Sequence, residues 1–123
     1  MKIEVSVGEI LDKLSILQLK LKKIEEVRAL KYVKKEHNYL LNIVGKLDFS
    51  LSNPLYQRLE KINAELWDVE DSLRLKEKEK DFGPTFVDLA RSVYKLNDQR
   101  FFLKKEINKE TSSAFEEQKN ITT

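Results

Sequence analysis

Apolar residues recur along most of the chain at alternating intervals of three and four, the spacing that places them on one face of an α-helix. The strong helix breakers are few: three glycines and two prolines, at Gly8, Gly45, Pro54, Gly83 and Pro84. Long uninterrupted stretches separate them. This pattern predicts an all-α protein, an antiparallel bundle of three long helices.

The first stretch begins at a capping sequence and carries an apolar stripe as far as Gly45. Ser6 and Glu9 have the spacing of a capping box, in which the serine hydroxyl accepts from the Glu9 backbone N–H, so a helix is predicted to start at residue 7. From Ile24 to Val33 the stripe advances in successive steps of three, which rotates the apolar face as a break would. Because neither glycine nor proline lies there, one long helix is predicted, with a break near residues 25–29, and so four helices, as the alternative.

Proline opens each of the other two predicted helices. Asn53 supplies a cap before Pro54, and Pro84 follows a turn at residues 81–83. The last helix is predicted to end near Glu110. Residues 1–110 are therefore expected to form the helical bundle domain, and residues 111–123 a mobile or partner-docked C-terminal tail.

Helix lengths predict self-association. An unbroken first helix would be about 57 Å long, whereas the other two would each be about 40 Å long. The overhanging part of the first helix would carry an apolar stripe with nothing to cover it. Such an overhang must either bend back or be buried against a second copy, so a homodimer is predicted. A protein partner is also possible.

Composition narrows the possible functions. The chain has 123 residues, 23 basic and 21 acidic, and its net charge of +2 is too small to predict dedicated nucleic-acid binding. It contains no cysteine, which excludes disulfides and thiolate metal sites and is typical of a reducing compartment. The sequence shows neither the apolar core of a signal peptide nor an apolar run of membrane-spanning length, so a cytoplasmic protein without a membrane span is expected.

One charge interrupts the apolar stripe of the last helix. Arg100 stands where a hydrophobic residue is expected, with Asn97 one turn earlier. An unpaired guanidinium inside a helical core costs several kcal/mol, so Arg100 needs a carboxylate partner, a route to water or an anionic ligand. The candidate carboxylates are those of Asp12, Asp68 and Asp71. A closed ion pair would make Arg100 structural, whereas an Arg100 open to solvent would mark a ligand site.

A small-ligand or phosphate-handling enzyme, with Mg²⁺ as an optional ion, is the alternative to a purely structural arginine. Arginine suits carboxylate and phosphate groups, and aromatic residues beside a stripe can border a pocket. The candidate binding residues are Asp12, Lys13, Trp67, Asp71, Arg91, Tyr94, Asn97 and Arg100. Carboxylates also recur at the three-residue spacing used by metal sites, but in a chain with 36% charged residues this spacing arises by chance, so neither a metal nor a cofactor is assigned and no catalytic residue is named.

Several segments resemble a family of small all-α bacterial proteins of unknown function. They are VSVGEILDKLSIL from Val5, LWDVED from Leu66, LARSVYKLNDQR from Leu89, KKEIN from Lys104 and SSAFEEQK from Ser112. The resemblance implies a gene neighbourhood of glycosyltransferase and surface-polysaccharide functions, and it brings no catalytic residues with it. The sequence therefore favours a non-enzymatic accessory or protein-interaction module over the enzyme.

Overall fold

Four α-helices make up the protein in the computed structural model, which describes residues 4–111. They are α1 (Val7–Lys23), α2 (Val27–Gly45), α3 (Pro54–Glu79) and α4 (Pro84–Thr111), and the described residues contain no strand. The all-helical class and the predicted helix starts at residues 7, 54 and 84 are confirmed. Apart from Thr111, the predicted C-terminal tail lies outside the described residues.

The prediction of one unbroken helix from residue 7 to Gly45 is wrong. The chain leaves the helix at Ile24 and re-enters it at Val27, so the alternative with four helices describes the protein. No glycine or proline is needed, because the Glu26 carboxylate accepts from the backbone N–H groups of Arg28 and Ala29 at 2.9 and 2.7 Å and caps the new helix. The successive three-residue steps in the stripe mark the place where α2 turns back along α1.

α1 is the central element. It packs against each of the other helices, whereas α2 packs on α1 alone among the four and α3 pairs with α4. The core lies where α1 meets the lower part of the α3–α4 hairpin and the end of α2. Its fully buried side chains include Leu11, Leu14, Tyr56, Leu59, Leu103 and Ile107.

The α3–α4 hairpin continues well beyond this core. No residue between Leu66 and Leu103 is buried, although Leu73, Phe86 and other apolar side chains lie half-buried between the two helices. We call residues 67–96 the arm. In the arm, α3 and α4 project alone, and the apolar seam between them is covered from one side only. Below the arm, α1 packs on the hairpin and α2 packs on α1, and we call this part the body.

Candidate functional site

Arg100 forms a two-pronged ion pair with Asp12 across the α1–α4 interface. Its Nε donates to Asp12 Oδ1 at 2.9 Å and its Nη2 to Asp12 Oδ2 at 2.5 Å. The Asp12 side chain is 4% exposed and that of Arg100 is 27% exposed, so the carboxylate is buried and the guanidinium reaches the surface. The planar guanidinium matches both carboxylate oxygens, which is the strongest geometry for such a pair.

A buried amide completes the surroundings of Asp12. Asn63 of α3 donates from Nδ2 to Asp12 Oδ1 at 3.0 Å and to Ser15 Oγ at 2.6 Å. Asn63 and Ser15 are almost entirely buried. The network therefore joins α1, α3 and α4 at one point, and it satisfies the carboxylate that burial would otherwise penalise.

A second polar contact joins α1 to α4 one turn closer to the start of α1. Asn108 Oδ1 accepts from the Gly8 backbone N–H at 2.7 Å, and Lys104 Nζ donates to Glu9 Oε1 at 2.8 Å. The helices approach so closely here that a Cβ atom on Gly8 would lie 2.6 Å from the Lys104 carbonyl oxygen. The serine half of the predicted capping box forms as well, since Ser6 Oγ accepts from Glu9 N at 3.2 Å.

A cleft of about 260 Å³ opens beside the ion pair. Its walls are Ile16 and Leu19 of α1, Asn63, Leu66, Trp67 and Glu70 of α3, and Arg100 of α4. Both N–H groups of the Asn63 amide are used within the network, while no hydrogen bond within residues 4–111 uses its Oδ1. The cleft thus places the Trp67 indole, the Asn63 Oδ1 and the Glu70 carboxylate beside the ion pair of Asp12 and Arg100.

The structure brings together only some of the candidate binding residues. Asp12, Asn97 and Arg100 meet, with Arg100 Nη1 donating to Asn97 Oδ1 at 3.4 Å, and Trp67 lines the adjoining cleft. The others lie elsewhere on the surface. Lys13 pairs with Glu36 of α2, Asp71 pairs with Arg74, and Arg91 and Tyr94 are exposed on the arm.

The sequence did not indicate the roles of Asn63 and Ser15, nor the contact between Gly8 and Asn108. Ser15 lies one turn after Asp12, so the two form a short polar strip beside the apolar stripe of α1, and that spacing was the available signal. Asn63 directly follows the stripe residue Ile62 and looks like an ordinary solvent-facing amide. Only the packing of α1 onto α3 buries it.

The charged groups at the centre of the site are paired with each other. Its central carboxylate is held by a guanidinium and an amide, and the described residues contain no group of three or more histidine, aspartate or glutamate side chains able to hold a metal ion. None of the four helices combines the length and apolar character needed to cross a bilayer. Fold and site together define a small all-helical protein in which one central helix is locked onto a longer hairpin through a buried ion pair.

The chain belongs to the Family of unknown function (DUF6165), whose model matches residues 1–123. This covers every segment on which the resemblance in the sequence rests. Comparison with curated proteins gave no match, and comparison with solved structures gave none either.

Proposed function

We propose that the protein is a non-enzymatic interaction protein that acts as a homodimer, with the arms of two copies packed against each other. The observation that carries this proposal is the arm itself. None of its residues 67–96 is buried, and neither are the next six, yet the arm keeps a regular apolar pattern. Two helices leave one side of their apolar seam open, whereas four helices enclose it.

The open side of the arm is the side on which α1 packs farther down. Val87, Tyr94 and Phe101 precede Asn108 at intervals of seven residues, and so all four share one face of α4. Asn108 is covered by α1, whereas Val87 and Tyr94 are 48% and 54% exposed. Between α4 and α3 on the arm lies an apolar groove of about 350 Å³ whose lining includes Leu73, Phe86 and Ala90.

A second copy fits this groove in one orientation. If the arms ran in the same direction, the two α1 helices would collide, because α1 occupies the same face lower down. An antiparallel two-fold arrangement avoids the collision and brings the small Ala90 side chains together at the axis. It then sets Val87 of one copy against Tyr94 of the other.

Sedimentation equilibrium tests this dimer. We expect the full-length chain to be dimeric at micromolar concentration and Ala90→Arg to be monomeric, because the new guanidinium would have to be buried at the axis. Ser72→Arg is the matched control, since Ser72 is exposed on the opposite side of α3 from the groove residue Arg74. A monomeric wild type, or equal dissociation of both variants, would overturn the proposal.

The absence of an enzymatic role is part of the proposal and is supported by the state of the charged centre. The carboxylate of Asp12 is engaged by Arg100 and Asn63, so it is not poised as a base or a metal ligand. Substituting Arg100 is expected to act through stability and not through the loss of a bound substrate.

A second candidate is ligand binding in the cleft beside Trp67, in the manner of a small-ligand or phosphate-handling helical enzyme that uses Mg²⁺. The Oδ1 of the buried Asn63, which no donor within residues 4–111 engages, favours it. Trp67 is the single tryptophan of the chain, so its fluorescence reports directly on the cleft. Titration with Mg²⁺, nucleotides and sugar nucleotides should change this fluorescence if the candidate is correct. An unchanged signal and an unchanged melting temperature at saturation would exclude these ligands.

The cellular setting stays a prediction. A bacterial origin, a place in the cytoplasm and an accessory role in surface-polysaccharide biosynthesis all follow from the resemblance and the composition alone. A dimeric interaction protein is compatible with such a role, because its two bodies would present two identical surfaces to a partner.

A further inference from the structure

The outer face of α2 is basic and aromatic along its first three turns. Arg28, Lys31, Tyr32, Lys35 and Tyr39 recur at helical spacing opposite the side that packs on α1. Tyr32 and Tyr39 are 69% and 67% exposed. This set, the outer stripe, extends over about 17 Å of the helix surface.

Acidic residues do not neutralise the outer stripe. α2 contains one acid, Glu36, which lies to the side and pairs with Lys13 of α1 at 3.1 Å. Glu26, just before α2, turns its carboxylate onto the first backbone N–H groups. Within residues 4–111 none of the three stripe cations takes part in an ion pair. The outer stripe therefore carries three uncompensated positive charges beside two exposed phenol rings.

We propose that the outer stripe of α2 docks the protein onto the surface of a membrane that contains anionic phospholipids. Lysine and arginine on one helix face are attracted to such lipids, and tyrosine favours the boundary between headgroups and acyl chains. Tyr32 and Tyr39 are two turns apart on one line, so both rings reach the same plane while α2 lies flat upon it. This inference goes beyond the interaction function and does not depend on the dimer.

The position of α2 suits a flat partner better than a nucleic acid. α2 is the outermost helix, because it packs on α1 alone among the four, and the outer stripe faces away from α1. A nucleic-acid site would be expected to continue as basic surface on neighbouring elements, whereas the net charge of the chain is only +2. A membrane needs just the one stripe.

Vesicle co-sedimentation of the full chain tests the proposal. Binding is expected to vesicles of phosphatidylcholine mixed with phosphatidylglycerol and not to phosphatidylcholine alone, and it should weaken as salt is added. Lys31→Gln with Lys35→Gln should weaken partitioning about 25-fold, because each cation near an anionic surface contributes about fivefold. The matched control is Lys61→Gln with Lys78→Gln, two exposed lysines of α3, which should bind as the wild type does.

A fluorescence measurement reports on the tyrosine positions. Tyr39→Trp in a Trp67→Phe background leaves one indole on the outer stripe, and its emission should shift to the blue with anionic vesicles and be quenched by brominated lipid. Circular dichroism establishes that this variant is folded. An emission unchanged by anionic vesicles would overturn the proposal, as would equal binding to both kinds of vesicle or equal losses in the two lysine pairs. Tighter binding to single-stranded DNA, lost in the same stripe variant, would overturn it too and assign the face to nucleic acid.

Discussion

At the scale of single residues, the pair of Asp12 and Arg100 holds α1 on the hairpin. Asp12→Ala should lower the free energy of unfolding by about 3 kcal/mol, since removing one partner of a buried pair strands the other and opens a gap. Lys13→Ala removes the neighbouring exposed pair with Glu36 and should change the free energy of unfolding by less than about 0.5 kcal/mol. Urea denaturation measures both, and similar effects from the two substitutions would contradict a structural role for Asp12.

Gly8 is required by the close approach of α1 to α4. Gly8→Ala should destabilise the protein by about 2 kcal/mol although alanine favours helix, because the added Cβ meets the Lys104 backbone oxygen. Gly45 has nothing within 4 Å of its would-be Cβ, so Gly45→Ala should stabilise by about 0.5 kcal/mol. Opposite signs in thermal denaturation are the expected result, and a stabilising Gly8→Ala would show that the interface can open freely.

Tyr56 makes stability depend on alkaline pH. Burial raises the pKa of its hydroxyl, and the neighbouring Glu60 raises this pKa further. The folded state therefore keeps a proton that the unfolded state releases above about pH 10, so this contribution to stability is complete below that pH and is lost as the pH rises. Urea unfolding of the wild type at increasing pH should show this loss, and Tyr56→Phe should remove part of it. Identical pH profiles would contradict the assignment.

The residue scale also shows what a sequence can and cannot predict about the site. Arg100 could be singled out because it breaks an apolar stripe, and Asp12 was one of three carboxylates considered for it. Asn63 could not be predicted as part of the site, because α1 buries it. The apolar stripe of α3 alone would leave that face of α3 in solvent. Burial between distant helices is a tertiary property, and periodicity within one helix does not contain it.

At the scale of elements, the helix starts were predicted directly, whereas the break after α1 was predicted only as the alternative. Ser6, Asn53 and Pro84 mark starts through local chemistry, which a sequence displays directly. The break at residues 24–26 depends on Glu26, which occupies the N-cap position of α2 but has a longer side chain than the residues usually found there. The steps of three in the stripe were the better indicator there than the missing glycine or proline.

The end of α3 offers a prediction at this scale. Lys80 is in the left-handed region, with φ at 57°, where glycine is free of steric penalty. Lys80→Gly should therefore stabilise the protein by about 1 kcal/mol, whereas Lys78→Gly, inside the last turn of α3, should destabilise it by about as much. Thermal denaturation measures the stability of the two variants, and a loss of stability with Lys80→Gly would contradict this description of the turn.

At the scale of the whole molecule, the protein divides into a body with a complete core and an arm with half of one. The sequence predicted a dimer from an overhanging first helix, but the break in that helix removes the overhang from α1. The surplus length belongs to α3 and α4 instead. Self-association thus stays a prediction, but the surface proposed for it is now the apolar groove between Leu73 and Ala90.

Cysteine cross-linking at the proposed two-fold axis is the most direct test of the pairing of the arms. The chain contains no cysteine, so Ala90→Cys introduces its only thiol, and two such thiols meet at the axis if the arms pair as proposed. Mild oxidation should convert Ala90→Cys into a covalent dimer on a non-reducing gel, while Ser72→Cys stays monomeric under the same conditions. An Ala90→Cys protein that cross-links no faster than Ser72→Cys would contradict the paired arms and, with them, the proposed function.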